Sequence, residues 1–537
     1  MANEYQCDTV IIGGGIAGIT AAIELLNANQ HVIMIDRDKE SNFGGLAKES
    51  FGGMLMVGTP EQRKGGIKDS TALALEDWSS TAEFGTDDSL PKAWAEMYVN
   101  ESIDQIYTWL KDKGIGFFPV VHWVERGLFT PGNSVPRFHM VWGTGHGLIE
   151  TLIKHLRNHP NFNKLTLLFK HRVDDIINEQ SAIKGCNGVN EIDNKAFVVK
   201  AENTIVATGG INGCMKKVRE NWDEEWGTPP KIILNGSHHF SDGLLHDAVQ
   251  NHGGNITHLN KQWNYAAGVH HPNPKRPNHG LSLVPCPSAL WLNSKGERIG
   301  PEPMVTGFDT RRLVTQVCQQ PGQYSWQVLN WKIAVKELAV SGSQYNDAIK
   351  NKNIIAFLKM ALLGNKSLVE DLTKNCKDFV VADSIEELAE KMNQLNGSND
   401  INPNTLRYTV DKYDNIIKGG QSYHNDDQLR RITQLRQYRG NKVRTCKFQT
   451  IDDSRCGPLI AIREFILSRK SLGGIQTNLK SQVLNAQGDI IPGLYATGEA
   501  AGFGGGGIHG KRTLEGTFLG GCILTARKSA QAITQTH

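Results

Sequence analysis

The sequence predicts an α/β protein with a Rossmann-like core and more than one domain, on three observations. Residues Cys7 to Asp36 read as strand, glycine turn, helix and strand. A second strand runs into a turn at TIVATGG, Thr204 to Gly210, and a third segment of this kind, IPGLYATGEAAG at Ile491 to Gly502, lies near the C-terminus. At 537 residues the chain exceeds one ordinary core and has room for two or three domains.

In the first unit, the apolar run DTVIIGG precedes the glycines, an amphipathic run AGITAAIELLNANQ follows them, and HVIMID closes on an acid. The glycines fall as G-x-G-x-x-G at Gly13, Gly15 and Gly18. The first permits the tight turn, the second lets a pyrophosphate approach the backbone, and the third lets helix pack on strand. The phosphate would sit at the helix N-terminus. Asp36 stands where an acid accepts hydrogen bonds from an adenosine ribose. Just beyond it, NFGGLAKESFGGM carries glycine pairs at Gly44-Gly45 and Gly52-Gly53, a second loop built for close approach. An NAD domain has no need of that loop, whereas a cofactor running on toward an isoalloxazine ring does, so the expected dinucleotide is FAD.

Composition excludes other classes. A net charge of +3 on 58 basic and 55 acidic residues, with no basic stripe interleaved with aromatics, gives no reason to expect a nucleic-acid partner. The densest basic run, RRITQLRQYRGNKVR from Arg430, reads as a solvated helix face. Nine scattered cysteines without a C-x-x-C argue against iron–sulfur, zinc or disulfide frameworks and for a reducing compartment. The pairs His238-His239 and His270-His271 lack metal-ligand spacing, and no metal is expected. The apolar stretch VIIGGGIAGITAAIELL has no basic segment before it and is broken by glycines, so it reads as neither signal peptide nor membrane span, and the expected location is cytoplasmic.

The segment GEAAGFGGGGIHG, Gly498 to Gly510, holds seven glycines in thirteen residues. So dense a run does not belong inside a helix or strand and implies backbone in close approach to something.

Together with LWLNSKGER at Leu290, these motifs resemble the FAD flavoproteins of the fumarate reductase and succinate dehydrogenase group, and GNSVPRFHMVWGTG at Gly132, AVSGS at Ala339 and GFGGGGIHGKRTLEGTFLGGC at Gly502 carry a nearer resemblance within it. The resemblance covers essentially the whole chain. Within that group the chain is most similar to the FAD-binding dehydrogenases described as like 3-ketosteroid dehydrogenases.

The resemblance implies a Rossmann-like, GR2-type split FAD-binding domain with an inserted α+β catalytic or capping domain, and the helix-like periodicity of runs such as NIIAFLKMALLG and SIEELAEKMNQL places the insert at 286–440 and the FAD-binding parts at 1–285 and 441–537. Hinges are expected at PNPKRPNHG, from Pro272, and GSNDINPN, from Gly397. It implies non-covalent FAD held by Gly13, Gly15, Ile16, Ala17, Gly18, Asp36 and Arg37, then by Gly45, Leu46, Ala47, Gly52 and Gly53. Val173, Ala207, Thr208, Gly209 and Asp242 complete the first part, and Glu499, Thr517 and Phe518 the C-terminal part. The glycine run would pass beneath the flavin, before a helix expected to begin near Leu514.

The implied reaction is hydride transfer between flavin N5 and a carbon–carbon bond beside a carbonyl, on a small-molecule substrate and with an unidentified electron acceptor. The first reading is a 3-ketosteroid-dehydrogenase-like enzyme acting on a bulky apolar ketone. The alternatives are a fumarate reductase-like reductase of a small unsaturated acid, and a non-catalytic electron-transfer flavoprotein subunit. Candidate catalytic groups are His509 and Arg512, which follow the glycine run, Arg311 in GFDTRRLV, and Lys470, which occupies the fumarate reductases' histidine position. Arg512 and Glu515, three apart, would on the plainest reading form an ion pair capping a helix. Arg137 and His139 are expected to line the substrate channel or to brace the flavin.

Overall fold

The computed structural model describes residues 3–128 and 131–535. The chain forms two compact units, one of Met1–Trp222, Ser237–Trp263 and Arg469–His537, the other of Asp223–Gly236 and Asn264–Ser468.

The first unit is built on a sheet whose central strands are all parallel. Ile490–Ala496, Ala196–Val206, Asn3–Ile12, Val32–Asp36 and Leu165–Phe169 lie side by side in that order. The first strand is exposed at its start and buried through Thr9, Val10, Ile11 and Ile12, where it pairs with Val32–Ile35 on one side and Asn203–Val206 on the other. Near-continuous apolar runs of this kind suit a parallel sheet covered on both faces. Val10, Ile12, Ile33, Ile35, Val206 and Ala496 share one core cluster, and full burial of a Val or Ile side chain contributes about 1.5–3 kcal/mol.

The C-terminal strand enters this sheet through Leu494, Tyr495 and Ala496, paired with Thr204, Ile205 and Val206. Segments nearly three hundred residues apart therefore make one domain, as the split arrangement requires. An antiparallel hairpin, His171–Glu179 with Ala182–Asn190, extends the sheet from Ala196–Val206. Val173 lies in it with its side chain in the core.

The second unit has its own eight-stranded sheet, ordered Leu290–Leu292, Ser325–Asn330, Leu459–Ser471, Gln262–His270, Gly280–Val284 and Ala339–Val340. Phe379–Ala382 and Ile233–Asn235 also pair with Leu459–Ser471. This unit begins earlier and ends later than the 286–440 expected, and neither expected hinge lies at a boundary. The reason is the sheet: its strands at 233–235, 262–270 and 459–471 lie outside the helix-rich stretch on which the expected boundaries rest. The basic run from Arg430 is helical at its start, in the helix Asp427–Gln437.

Among the described residues no helix is long and apolar enough to cross a membrane, and the nine cysteines are free thiols. Arg137 braces the first unit: fully buried, it pairs with Asp69 at 2.8 Å and Asp77 at 2.5 Å and donates to Asn133. His139 beside it is held between Thr59 Oγ1 and the Arg137 carbonyl, each at 2.7 Å.

Candidate active site

Gly13 takes φ +113°, and a Cβ placed there would lie 2.4 Å from the Ala207 carbonyl oxygen. A Cβ on Gly18 would lie 2.0 Å from the Gly13 carbonyl. Both glycines are therefore demanded by the protein's own packing. Gly15 is different. Its backbone, φ −76° and ψ −174°, suits any residue, and a Cβ there would meet no protein atom within 4 Å. Nothing within the chain explains glycine at this position, and a ligand approaching the backbone does.

Gly15 directly precedes the helix Ile16–Asn27, whose start has no side-chain cap, and Gly44 bridges to Gly15. The second glycine loop thus lies against the first, with the short helix Gly45–Glu49, which includes Leu46 and Ala47, leading away. Asp36 accepts from the Gly14 N–H at 2.8 Å and the Asp38 N–H at 2.7 Å, and burial pushes its carboxyl above the usual range. Each oxygen keeps a further lone pair for a hydroxyl.

Other residues expected at the cofactor are engaged with protein neighbours. Arg37 stacks on Phe240 and pairs with Glu191 and Asp242, both at 3.0 Å, and Asp242 also accepts from the Leu244 N–H. Ala207, Thr208 and Gly209 form the turn after the Ala196–Val206 strand, with Gly209 packed on Ser241. Gly52 lies against Thr144 and Gly145, and Gly53 against the Phe138 ring. His238 and His239, unlike the expectation from spacing, sit with Asp38 so that their ligand atoms fall within 4.8 Å of one another. Both His238 nitrogens already have protein partners, Asp38 and the Phe240 N–H.

The C-terminal glycine run is packed by protein. A Cβ on Gly504, at φ +134°, would fall 2.7 Å from the Trp94 ring, and one on Gly506 would fall 2.2 Å from Thr257 Oγ1. Neighbours in the fold thereby account for the run's lack of side chains. The helix after it begins at Thr517, past Gly516 at φ +105°, rather than near Leu514.

Around the start of that helix a cluster assembles. Lys470 Nζ lies 3.9 Å from the centre of the Phe518 ring, and His509 and Phe503 lie 5.2 and 5.1 Å from it. Trp78 stacks parallel to His509 at 6.0 Å, and its Nε1 donates to the Ile508 carbonyl. Burial pulls Lys470 down to about 8; the charge of Glu515 opposes that shift. Trp263 Nε1 donates to Glu515 Oε2 at 2.9 Å. Glu499 accepts from the Ser471 N–H at 3.0 Å, and burial raises its carboxyl to about 7.

His509 is fully buried, which with the nearby charge of Lys470 lowers it to about 3 and keeps it neutral. Its Nε2 lies 2.7 Å from Thr517 Oγ1, which lies 2.8 Å from Thr513 Oγ1, which donates to the Leu514 carbonyl. A carbonyl only accepts, so this chain of bonds assigns the imidazole proton to Nε2. Nδ1 is left a buried acceptor without a protein partner. His509 was expected to donate to a substrate oxygen, and this tautomer removes that donor.

The two arginines are engaged elsewhere. Arg512 pairs with Glu83 at 2.5 Å, beside Lys511 at 3.3 Å from the same carboxylate, and not with Glu515. With Thr517 the first helical residue, Arg512 and Glu515 lie outside the helix and do not share its face. Arg311 belongs to the second unit, where it pairs with Asp223 at 2.8 Å and Glu225 at 3.1 Å over the Trp226 ring.

Residues 8–519 match the family model described as FAD binding domain. The chain belongs to this FAD-binding family. It is 38% identical to a KsdD-like steroid dehydrogenase of Mycobacterium tuberculosis over 99% of this chain and 97% of that protein. It is 24% identical to the fumarate reductase (cytochrome) of Shewanella frigidimarina, over 98% of this chain and 76% of that one. The fold is shared with the 3-ketosteroid Δ1-dehydrogenase of Sterolibacterium denitrificans, at a TM-score of 0.70 and 14% identity, covering 99% of this chain and all of the other.

FAD is the cofactor, and the residues fit it. The open approach at Gly15 matches the need of a pyrophosphate at a helix N-terminus, and Asp36 matches that of a ribose hydroxyl. Sequence reading missed Trp78, Trp263 and the part played by Glu515. The first two come from segments 430 and 252 residues away from their partners, and no motif marks either.

Proposed function

We propose that this FAD-dependent oxidoreductase acts on a carbon–carbon bond beside the carbonyl of a bulky, apolar, steroid-like ketone. The observation that carries this reading is the charge balance of the cluster. Lys470 stands half-buried among aromatic rings with the charge of Glu515 nearby, while Arg512 and Arg311, the arginines expected at the site, are each held by carboxylates. The likeness to KsdD-like steroid dehydrogenases along the whole chain supports the same substrate class.

FAD, when bound, supplies the hydride acceptor or donor. Lys470, as the ammonium, donates to the ketone oxygen and stabilises the negative charge that develops there in the transition state. Burial lowers its pKa to about 8, so the ammonium is the form present at neutral pH. Glu515, fixed by Trp263, keeps the ammonium charged, and His509 Nδ1 accepts a hydrogen bond within the site. The rings of Phe503, Phe518 and Trp78 exclude water and offer apolar surface. Glu499 holds the Ser471 backbone in place.

The purified protein should be yellow and should release FAD on acid precipitation. Its flavin absorbance near neutral pH should bleach with a 3-ketosteroid and not with succinate. Bleaching by succinate alone would overturn the substrate class, and colour that stays with the precipitate would overturn non-covalent binding.

Arg512→Ala should leave turnover within about twofold and cost about 0.2–1 kcal/mol in a melt, because its pair with Glu83 is partly exposed. A hundredfold loss of flavin reduction would return Arg512 to the donor set.

A further inference from the structure

We propose that the helix Ile354–Leu363 of the second unit docks the protein onto an anionic lipid surface. Among the described residues eleven large hydrophobic side chains are exposed, and five of them lie in this one helix. Ile354 is 53% exposed, Ile355 78%, Leu358 51%, Leu362 72% and Leu363 70%. At about 100° per residue, Ile354, Ile355, Leu358 and Leu362 fall within a single arc of about 100°. Single exposed apolar residues need no explanation, but a contiguous stripe does. No residue of the helix is buried.

The helix is firmly placed. Asn353 caps its start through the Ala356 N–H, and its end is tied by the Asn365 N–H, which donates to the Val335 carbonyl at 2.7 Å. Ten residues span about 15 Å, half of what a bilayer crossing needs, so the helix would lie in the plane of the interface.

Charge identifies the occupant. From Ala348 to Val369 the chain carries Lys350, Lys352, Lys359 and Lys366 and no acid. Lys359 is exposed beside the stripe, and Lys352 and Lys366 are exposed at its two ends, the latter loosely paired with Glu370 at 3.3 Å. An apolar stripe bordered by lysines complements acyl chains beneath anionic headgroups. A second copy of the chain laid on the same stripe would instead bring these lysines against one another.

The test is flotation of the flavin-loaded protein with vesicles of phosphatidylcholine alone or mixed with phosphatidylglycerol, at low and high salt. The expected result is binding to the mixed vesicles that weakens with salt and is about tenfold weaker on phosphatidylcholine alone. Ile355→Glu with Leu362→Glu should lower vesicle binding by about tenfold or more, with flavin content and ketosteroid bleaching unchanged. Lys352→Glu with Lys359→Glu should erase the preference for phosphatidylglycerol. The proposal is overturned if the unaltered protein floats no better than the Ile355→Glu, Leu362→Glu variant. It is overturned equally if sedimentation shows a dimer, abolished by that variant, in protein that does not bind vesicles.

Discussion

Lys470→Met is expected to slow flavin reduction by a 3-ketosteroid by about 10²–10³-fold, while FAD content and the melting transition stay close to those of the unaltered protein. Methionine keeps most of the apolar stem of lysine and removes the ammonium, the group that donates and that lies over the Phe518 ring. The pH dependence separates this role from a structural one. Burial lowers Lys470 from the ordinary lysine value to about 8, so the ammonium is present below that pH and is lost as pH rises through it. Reduction rates should therefore fall above pH 8, by about tenfold per unit. That limb should vanish in Lys470→Met. Glu515 favours the ammonium, so Glu515→Gln should move the limb to lower pH. A variant as fast as the unaltered protein, with the same limb, would remove Lys470 from the site.

Gly15→Val should give a folded protein that is isolated without colour, with FAD affinity lowered by more than about a hundredfold. The backbone at Gly15 is extended and open to any residue, and a Cβ there meets no protein atom, so the apoprotein tolerates the side chain. A pyrophosphate at the helix N-terminus does not, because it needs the bare backbone. Gly18→Val provides the contrast: its Cβ would fall 2.0 Å from the Gly13 carbonyl, so it should fail to fold rather than merely lose cofactor. Circular dichroism and flavin absorbance on the same preparations distinguish the two outcomes. A yellow Gly15→Val protein would mean that the dinucleotide does not approach this turn.

While the split of the cofactor domain is implied by the family resemblance, the sequence by itself determined the fold class and the cofactor. Those properties are written locally: the glycine spacing from Gly13 to Gly18, the acid at Asp36 and the apolar runs around them each arise within a few turns of chain. The tertiary structure decided which polar groups are left to do chemistry. Arg512 meets Glu83 from a helix end more than four hundred residues earlier, so its charge is balanced by a partner that no local spacing predicts. Gly516 delays the helix to Thr517 and separates Arg512 from Glu515, and the hydroxyls of Thr517 and Thr513 then fix the tautomer of His509. The limits of the inserted unit likewise depend on strand pairing across more than two hundred residues, which periodicity within a segment does not record. Local propensity and spacing act over a few residues, whereas charge pairing, desolvation and proton placement depend on every group within a few ångströms, whatever its position in the chain.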